Sequence, residues 1–135
     1  MDEPEARRRV AAARVARLAT IGPSGPHAVP ICFVLEGDVL YSVVDAKPKR
    51  TLQLQRLRNV ERDARATLLV DHYEEDWSRL WWVRLECRAG TLARGPEDEH
   101  ARRLLADKYP QYRRATPPGP VLRLGVTRWA SWAAS

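Results

Sequence analysis

Cysteine is scarce in this 135-residue chain, which carries only Cys32 and Cys87. They lie far apart with no ligand spacing around either, which excludes a disulfide framework or a cysteine zinc site and points to a reducing, cytoplasmic setting. No apolar run approaches transmembrane length, and the charged N-terminus is unlike a signal peptide, so no membrane role is expected. Repeats and low-complexity tracts are absent. So are a Walker loop and a G-x-G-x-x-G fingerprint, which sets the common nucleotide folds aside. Ser, Cys and His occur without a nucleophile signature, and no residue stands out as a catalytic acid or base. His72 lies among Asp71, Glu74, Glu75 and Asp76, but no second His or Cys stands at ligand spacing. That cluster reads as a solvated acidic loop rather than a metal site.

What the chain does contain is an ordinary globular balance. Apolar residues make up 44% and charged residues 30%, enough for one domain over 1–135 with a real core. A net charge of +6 favours an anionic ligand. Five Trp is a high count. They cluster in Trp77–Trp82 and Trp129–Trp132 rather than recurring on neighbouring strands, which argues against a stacking platform for single-stranded nucleic acid.

The organising stretch is Asp38 to Val60, DVLYSVVDAKPKRTLQLQRLRNV. Val39, Leu40, Tyr41, Val43 and Val44 are strand formers. Pro48 breaks the pattern, because it supplies no N–H and disfavours a helical Lys47. Leu54, Leu57 and Val60 then fall at helical spacing. Lys47, Lys49 and Arg50 thus stand where a strand gives way to a helix. Cations oppose the positive end of the helix dipole, so they stabilise nothing there until an anion arrives. Free N–H groups with two or three cations make a phosphate cradle; the alternative is a solvated basic loop.

Taken in order, the chain predicts a short N-terminal helix over Glu3–Ala13 and a strand over Val15–Ile21. A Gly-Pro-rich turn leads to a second strand, Ala28–Leu35, interrupted at Pro30 as an edge or bulge. Ala66–Asp71 is a buried-looking strand. In Leu80–Ala93, Trp81, Val83, Leu85 and Cys87 share one face, and Trp82, Arg84, Glu86 and Arg88 the other. A helix follows Gly95, with Ala101, Leu104, Leu105, Tyr109 and Tyr112 as its stripe, ended or kinked by Pro110. Val121–Trp132 is the last strand. The fold class is mainly β: about six antiparallel strands with three flanking helices, suggesting a small closed or half-open barrel.

The stretches GPSGPHAVPICFVLEGDVLYSVVDAKPKRT and LLVDHYEEDWSRLWWVR, in this element order, resemble the pyridoxamine 5′-phosphate oxidase-like split β-barrel superfamily. Within it they are similar to the branch that uses a deazaflavin, coenzyme F420. The resemblance spans nearly the whole chain. It implies a homodimer with the cofactor in a groove between protomers. Backbone of Pro30, Ile31, Cys32 and Phe33 would line the ring, and Lys47, Lys49 and Arg50 would hold the phosphate, with Ser42 as a hydroxyl donor. Trp77, Arg79 and Trp82 would come from the partner. The implied activity is hydride transfer between reduced coenzyme F420 and an electron-poor small molecule. FMN is the alternative cofactor; a non-enzymatic haem or nucleic-acid module is the remaining reading. The substrate and the direction of transfer are not legible.

Overall fold

The computed structural model describes residues 1–44 and 50–134, with side chains described throughout except at 50–54. Asp2 caps the first helix, α1 (Glu3–Ala12), accepting the Glu5 N–H at 2.9 Å. The helix buries Ala6 and Val10. Seven strands follow among the described residues: β1 (Ala16–Gly22), β2 (Gly25–Ile31), β3 (Val34–Glu36), β4 (Val39–Val43), β5 (Arg65–His72), β6 (Trp81–Thr91) and β7 (Val121–Ala133). Helix α2 (Arg50–Arg62) stands between β4 and β5, and α3 (Pro96–Lys108) and α4 (Pro110–Arg114) between β6 and β7. Trp77–Arg79 forms a single 3-10 turn.

All seven strands join one antiparallel sheet in the order β2-β1-β5-β6-β7-β4-β3. The two outermost strands are consecutive in the chain, linked only by Cys32 and Phe33. Laid flat, strands spaced at about 4.8 Å would hold β2 and β3 roughly 29 Å apart. The link from Ile31 to Val34 spans at most ~11 Å. The sheet therefore curls until its ends meet at this break, and the architecture is a split barrel with flanking helices.

Two expectations need correction. The second strand does not break at Pro30, which pairs with Arg17 inside β2; it breaks two residues later, giving seven strands instead of about six. Pro26 and Pro30, four residues apart, would turn their donorless nitrogens to the same side. On an edge strand such as β2 that side can face away from β1 without losing a ladder bond. Pro110 stops α3 and starts a separate helix, α4, so the described helices number four rather than three. The alternation expected along β6 is observed: Val83, Leu85 and Cys87 are buried, while Trp82, Arg84 and Glu86 are half-buried and Arg88 is exposed.

The main core gathers Leu18, Phe33, Leu40, Leu68, Val83, Leu85 and Leu124 inside the curled sheet. A second cluster, Tyr41, Val43, Ala101, Leu105, Tyr109 and Val121, seats α3 against β4 and β7. A buried carboxylate, Asp98, lies beside it at 1% exposure. Arg102 binds Asp98 through Nε at 2.9 Å and donates to the carbonyls of Pro117 at 2.6 Å and Gly119 at 2.7 Å. Gly119 in turn sits so close to β4 that a Cβ there would fall 2.3 Å from the Val44 carbonyl oxygen. The Val44 N–H donates to Pro120 at 3.0 Å. The proline-rich loop is thus fastened to the end of β4. Among the described residues no helix is long and apolar enough to cross a membrane.

Candidate functional site

The break between β2 and β3 falls in the segment for which the family resemblance implies a ring-lining role. Pro30 is exposed and Cys32 half-buried, whereas Ile31 and Phe33 send their side chains into the core at 5% and 0% exposure. A ligand here would therefore meet backbone and the Cys32 edge, not these two apolar side chains. Ser42 is buried and donates its hydroxyl to the Cys32 carbonyl at 2.7 Å. Its proton is thus committed to shaping the break in this structure.

Residues not singled out as functional in the sequence complete the break. Tyr109 caps α3, its own N–H donating to Leu105 at 2.8 Å. Its hydroxyl accepts the Phe33 N–H at 3.0 Å and lies 2.9 Å from the carbonyl oxygens of both Phe33 and Arg14. The sequence showed Tyr109 only as part of an apolar stripe. Lys108 beside it has a buried Nζ with no hydrogen-bond partner among the described residues, 4.1 Å from the centre of the Phe33 ring.

Burial, with the Arg14 charge second, brings the Lys108 ammonium down to about 8 from its ordinary 10.5. A depressed folded value means that the unfolded chain holds more protons between those two pH values. Wild-type stability therefore rises with pH across that window. Lys108→Met should stabilise the protein at pH 7 by about 1 kcal/mol, a figure discounted for the half-exposed side chain. That gain should vanish by pH 10.5, the ordinary lysine value. Urea unfolding of both proteins at the two pH values checks this, and an equal difference at both would refute it.

Of the expected phosphate ligands, Lys47 and Lys49 lie outside the described residues. Arg50 begins α2, and its side chain also lies outside them. The described approach to this corner is Val44, held by Pro120 and packed against Gly119.

Trp77, Arg79 and Trp82 belong to the β5–β6 connection and the start of β6. Trp77 is 67% exposed, and Arg79 pairs with Glu74 at 3.1 Å. Trp82 lies on the outer sheet face opposite Trp132, with the Arg84 guanidinium 5.2 Å from its ring centre. Register rows run Pro30–Arg17–Leu69–Arg84 across the sheet. Trp82 therefore shares the end of the sheet that holds the break, but three strands away, roughly 14 Å. One copy of the chain does not gather all the expected residues.

A cavity on the sheet does not coincide with the break. It is an open groove of about 490 Å³ on the outer face, lined by Ala19, Ile21, Pro26, Thr67, Glu86 and Arg88. These residues lie toward the opposite end of the strands. A bulge at Glu86/Cys87 helps to open it. The groove is shallow and mostly apolar, with Glu86 already accepting from Thr67 at 2.6 Å.

Two further titratable groups in the sheet are held in their protonated forms. Burial pushes the Cys87 thiol up to about 12. Burial and the Glu97 carboxylate raise the Tyr41 phenol, also to about 12. Among the described residues no three His, Cys, Asp or Glu side chains gather as metal ligands. His72 and His100 are engaged by Glu74 and Glu36.

An antiparallel sheet of seven strands curled on itself and split at one seam, with flanking helices, is the architecture of the split barrels. Over residues 2–133 the chain matches the family described as pyridoxamine 5′-phosphate oxidase, and it belongs to that family. Solved structures share the fold at low identity. A FAD-binding protein from Mesorhizobium loti superposes with a TM-score of 0.77 at 18% identity, covering 100% of this chain and 96% of that one. A conserved protein from Mycobacterium tuberculosis gives 0.80 at 22%, over 98% and 85%. The haem storage protein HutZ of Vibrio cholerae gives 0.72 at 13%, over 97% and 93%. Among curated proteins none matches the chain significantly.

Proposed function

We propose that this protein is a deazaflavin-dependent oxidoreductase that passes a hydride between reduced coenzyme F420 and an electron-poor organic molecule. The observation that carries the reading is the cationic run Lys47-Pro48-Lys49-Arg50, which in the sequence falls between the end of β4 at Val43 and the body of α2. Such a corner suits a phosphate, and a barrel seam one strand away suits a ring. The bound cofactor supplies the hydride chemistry; the chain binds and orients it. The basic surplus favours the deazaflavin, whose polyglutamate tail adds anionic charge beyond the phosphate. Arg56 supports this, since its Nε is buried with no hydrogen-bond partner among the described residues and burial lowers its pKa. The exposed Arg58 is engaged with Gln55 at 3.4 Å.

FMN is the second reading, favoured by family membership and by the FAD-binding protein among the structural neighbours. Titrating the purified protein with both cofactors separates the two. The deazaflavin should bind at least tenfold tighter, roughly 1.4 kcal/mol. Equal or reversed affinity would transfer the assignment to FMN.

The site as read needs a second copy of the chain. Trp77 at 67%, Trp132 at 45% and Leu69 at 36% exposure leave apolar surface on and beside the outer face, the kind of surface a symmetric partner covers. Light scattering should report a dimer at micromolar concentration. A monomer would remove Trp77, Arg79 and Trp82 from the site.

A further inference from the structure

We propose that Tyr109 is a positioning residue for the cofactor ring, an inference that rests on the ring-binding role of Pro30–Phe33 given above. A break between two strands normally strands backbone donors and acceptors. Here those groups are satisfied from the inside. The Tyr109 hydroxyl takes the Phe33 N–H at 3.0 Å and can return its single proton to the Phe33 or the Arg14 carbonyl, each 2.9 Å away. Ser42 takes the Cys32 carbonyl at 2.7 Å. Three backbone polar groups from two adjacent peptide units (the Cys32 carbonyl, the Phe33 N–H and the Phe33 carbonyl) are thereby paired within the fold, while Pro30 stays exposed and Cys32 half-exposed.

Tyr109 is a firm anchor. It is 5% exposed and closes α3 by donating its N–H to Leu105, and Pro110 begins a new helix directly after it. Lys108 adds weight from the same turn by packing its ammonium on the Phe33 ring. The hydroxyl also ties Arg14, just before β1, to the break. One oxygen atom therefore registers the seam against α3 and the entry to β1 together. Ring binding depends on holding such a backbone edge within a fraction of an ångström.

The test uses Tyr109→Phe, which removes the oxygen and keeps the packing, with Ser42→Ala as a second variant reaching the same break through Cys32. His100→Ala serves as the control, since it breaks the α3 contact to Glu36 away from the seam. The probes are riboflavin and the phosphate-free deazaflavin ring, read by affinity and by the visible absorption band of the fully bound ring. Wild type is measured first, and failure to bind either ring would refute the cofactor assignment and this inference with it. With binding present, Tyr109→Phe should raise the dissociation constant about tenfold and move the bound band toward that of the free ring. Ser42→Ala should do the same more weakly. His100→Ala should lower the melting temperature and leave the band in place. A general loss of stability weakens apparent binding through the folded fraction, but it cannot shift the band at saturation. An unshifted band in both seam variants, whatever their affinity, would overturn the proposal.

Discussion

Asp98→Ala should destabilise the apo protein by about 3 kcal/mol, the low end of the range for stripping one partner from a buried ion pair. For a chain of this length that is a fall of roughly 10 °C in melting temperature. Asp98 is 1% exposed and the Arg102 side chain 11%. Removing the carboxylate leaves a guanidinium that water reaches poorly. The effect stays at the low end because Arg102 keeps its bonds to the Pro117 and Gly119 carbonyls. Arg94 is 66% exposed at its side chain and loses less. Arg102→Met alone should be damaging for a different reason, since it frees the loop carbonyls and orphans Asp98. Combining Asp98→Ala with Arg102→Met should recover part of the loss, because no lone buried charge remains. Thermal denaturation of the two single variants and the pair measures the coupling. A change below about 1 kcal/mol for Asp98→Ala, within the range of ordinary surface substitutions, would show that the clamp does not hold the loop.

Lys49→Ala or Arg50→Ala should weaken cofactor binding roughly ten- to hundredfold, the equivalent of losing one charge-assisted phosphate contact. Arg50 begins α2 and Lys49 directly precedes it in the sequence, a place where the helix dipole disfavours cations without a bound anion. Fold stability should therefore stay level or rise by a few tenths of a kcal/mol. The gap between wild type and variant should narrow as salt increases, because the lost attraction is one that salt screens. Affinity at two salt concentrations, measured beside the apo melting temperature, tests all three parts. Wild-type affinity in both variants would return the corner to a solvated basic loop and remove most of the site.

Strand and helix identities were legible because they depend on local periodicity. Trp81, Val83, Leu85 and Cys87 alternate with charged and aromatic neighbours, and a half-buried strand follows from that spacing alone. The helix after β4 was legible too, since the apolar spacing of Leu54, Leu57 and Val60 is a property of near neighbours. Pro30 could be assigned to an edge, because proline lacks the same donor in every fold. The location of the break could not. It falls at Cys32–Phe33 because the two ends of the sheet must meet there, and that requirement exists only once all seven strands are paired.

The buried groups show the same division. Asp98 and Arg102 stand four apart on a helix, a spacing visible in the chain, but that spacing is far more often a solvent-exposed pair. Only the packing of the 117–119 loop over them decides their burial. Tyr109 carries a stripe position by its spacing, while its hydroxyl finds Phe33 and Arg14 from distant parts of the chain. The sequence by itself determined the elements and the charge balance, the elements being set by interactions among near neighbours. Tertiary structure alone decided where the seam opens and which polar groups are shut away from water, because those depend on contacts between residues that the chain keeps far apart.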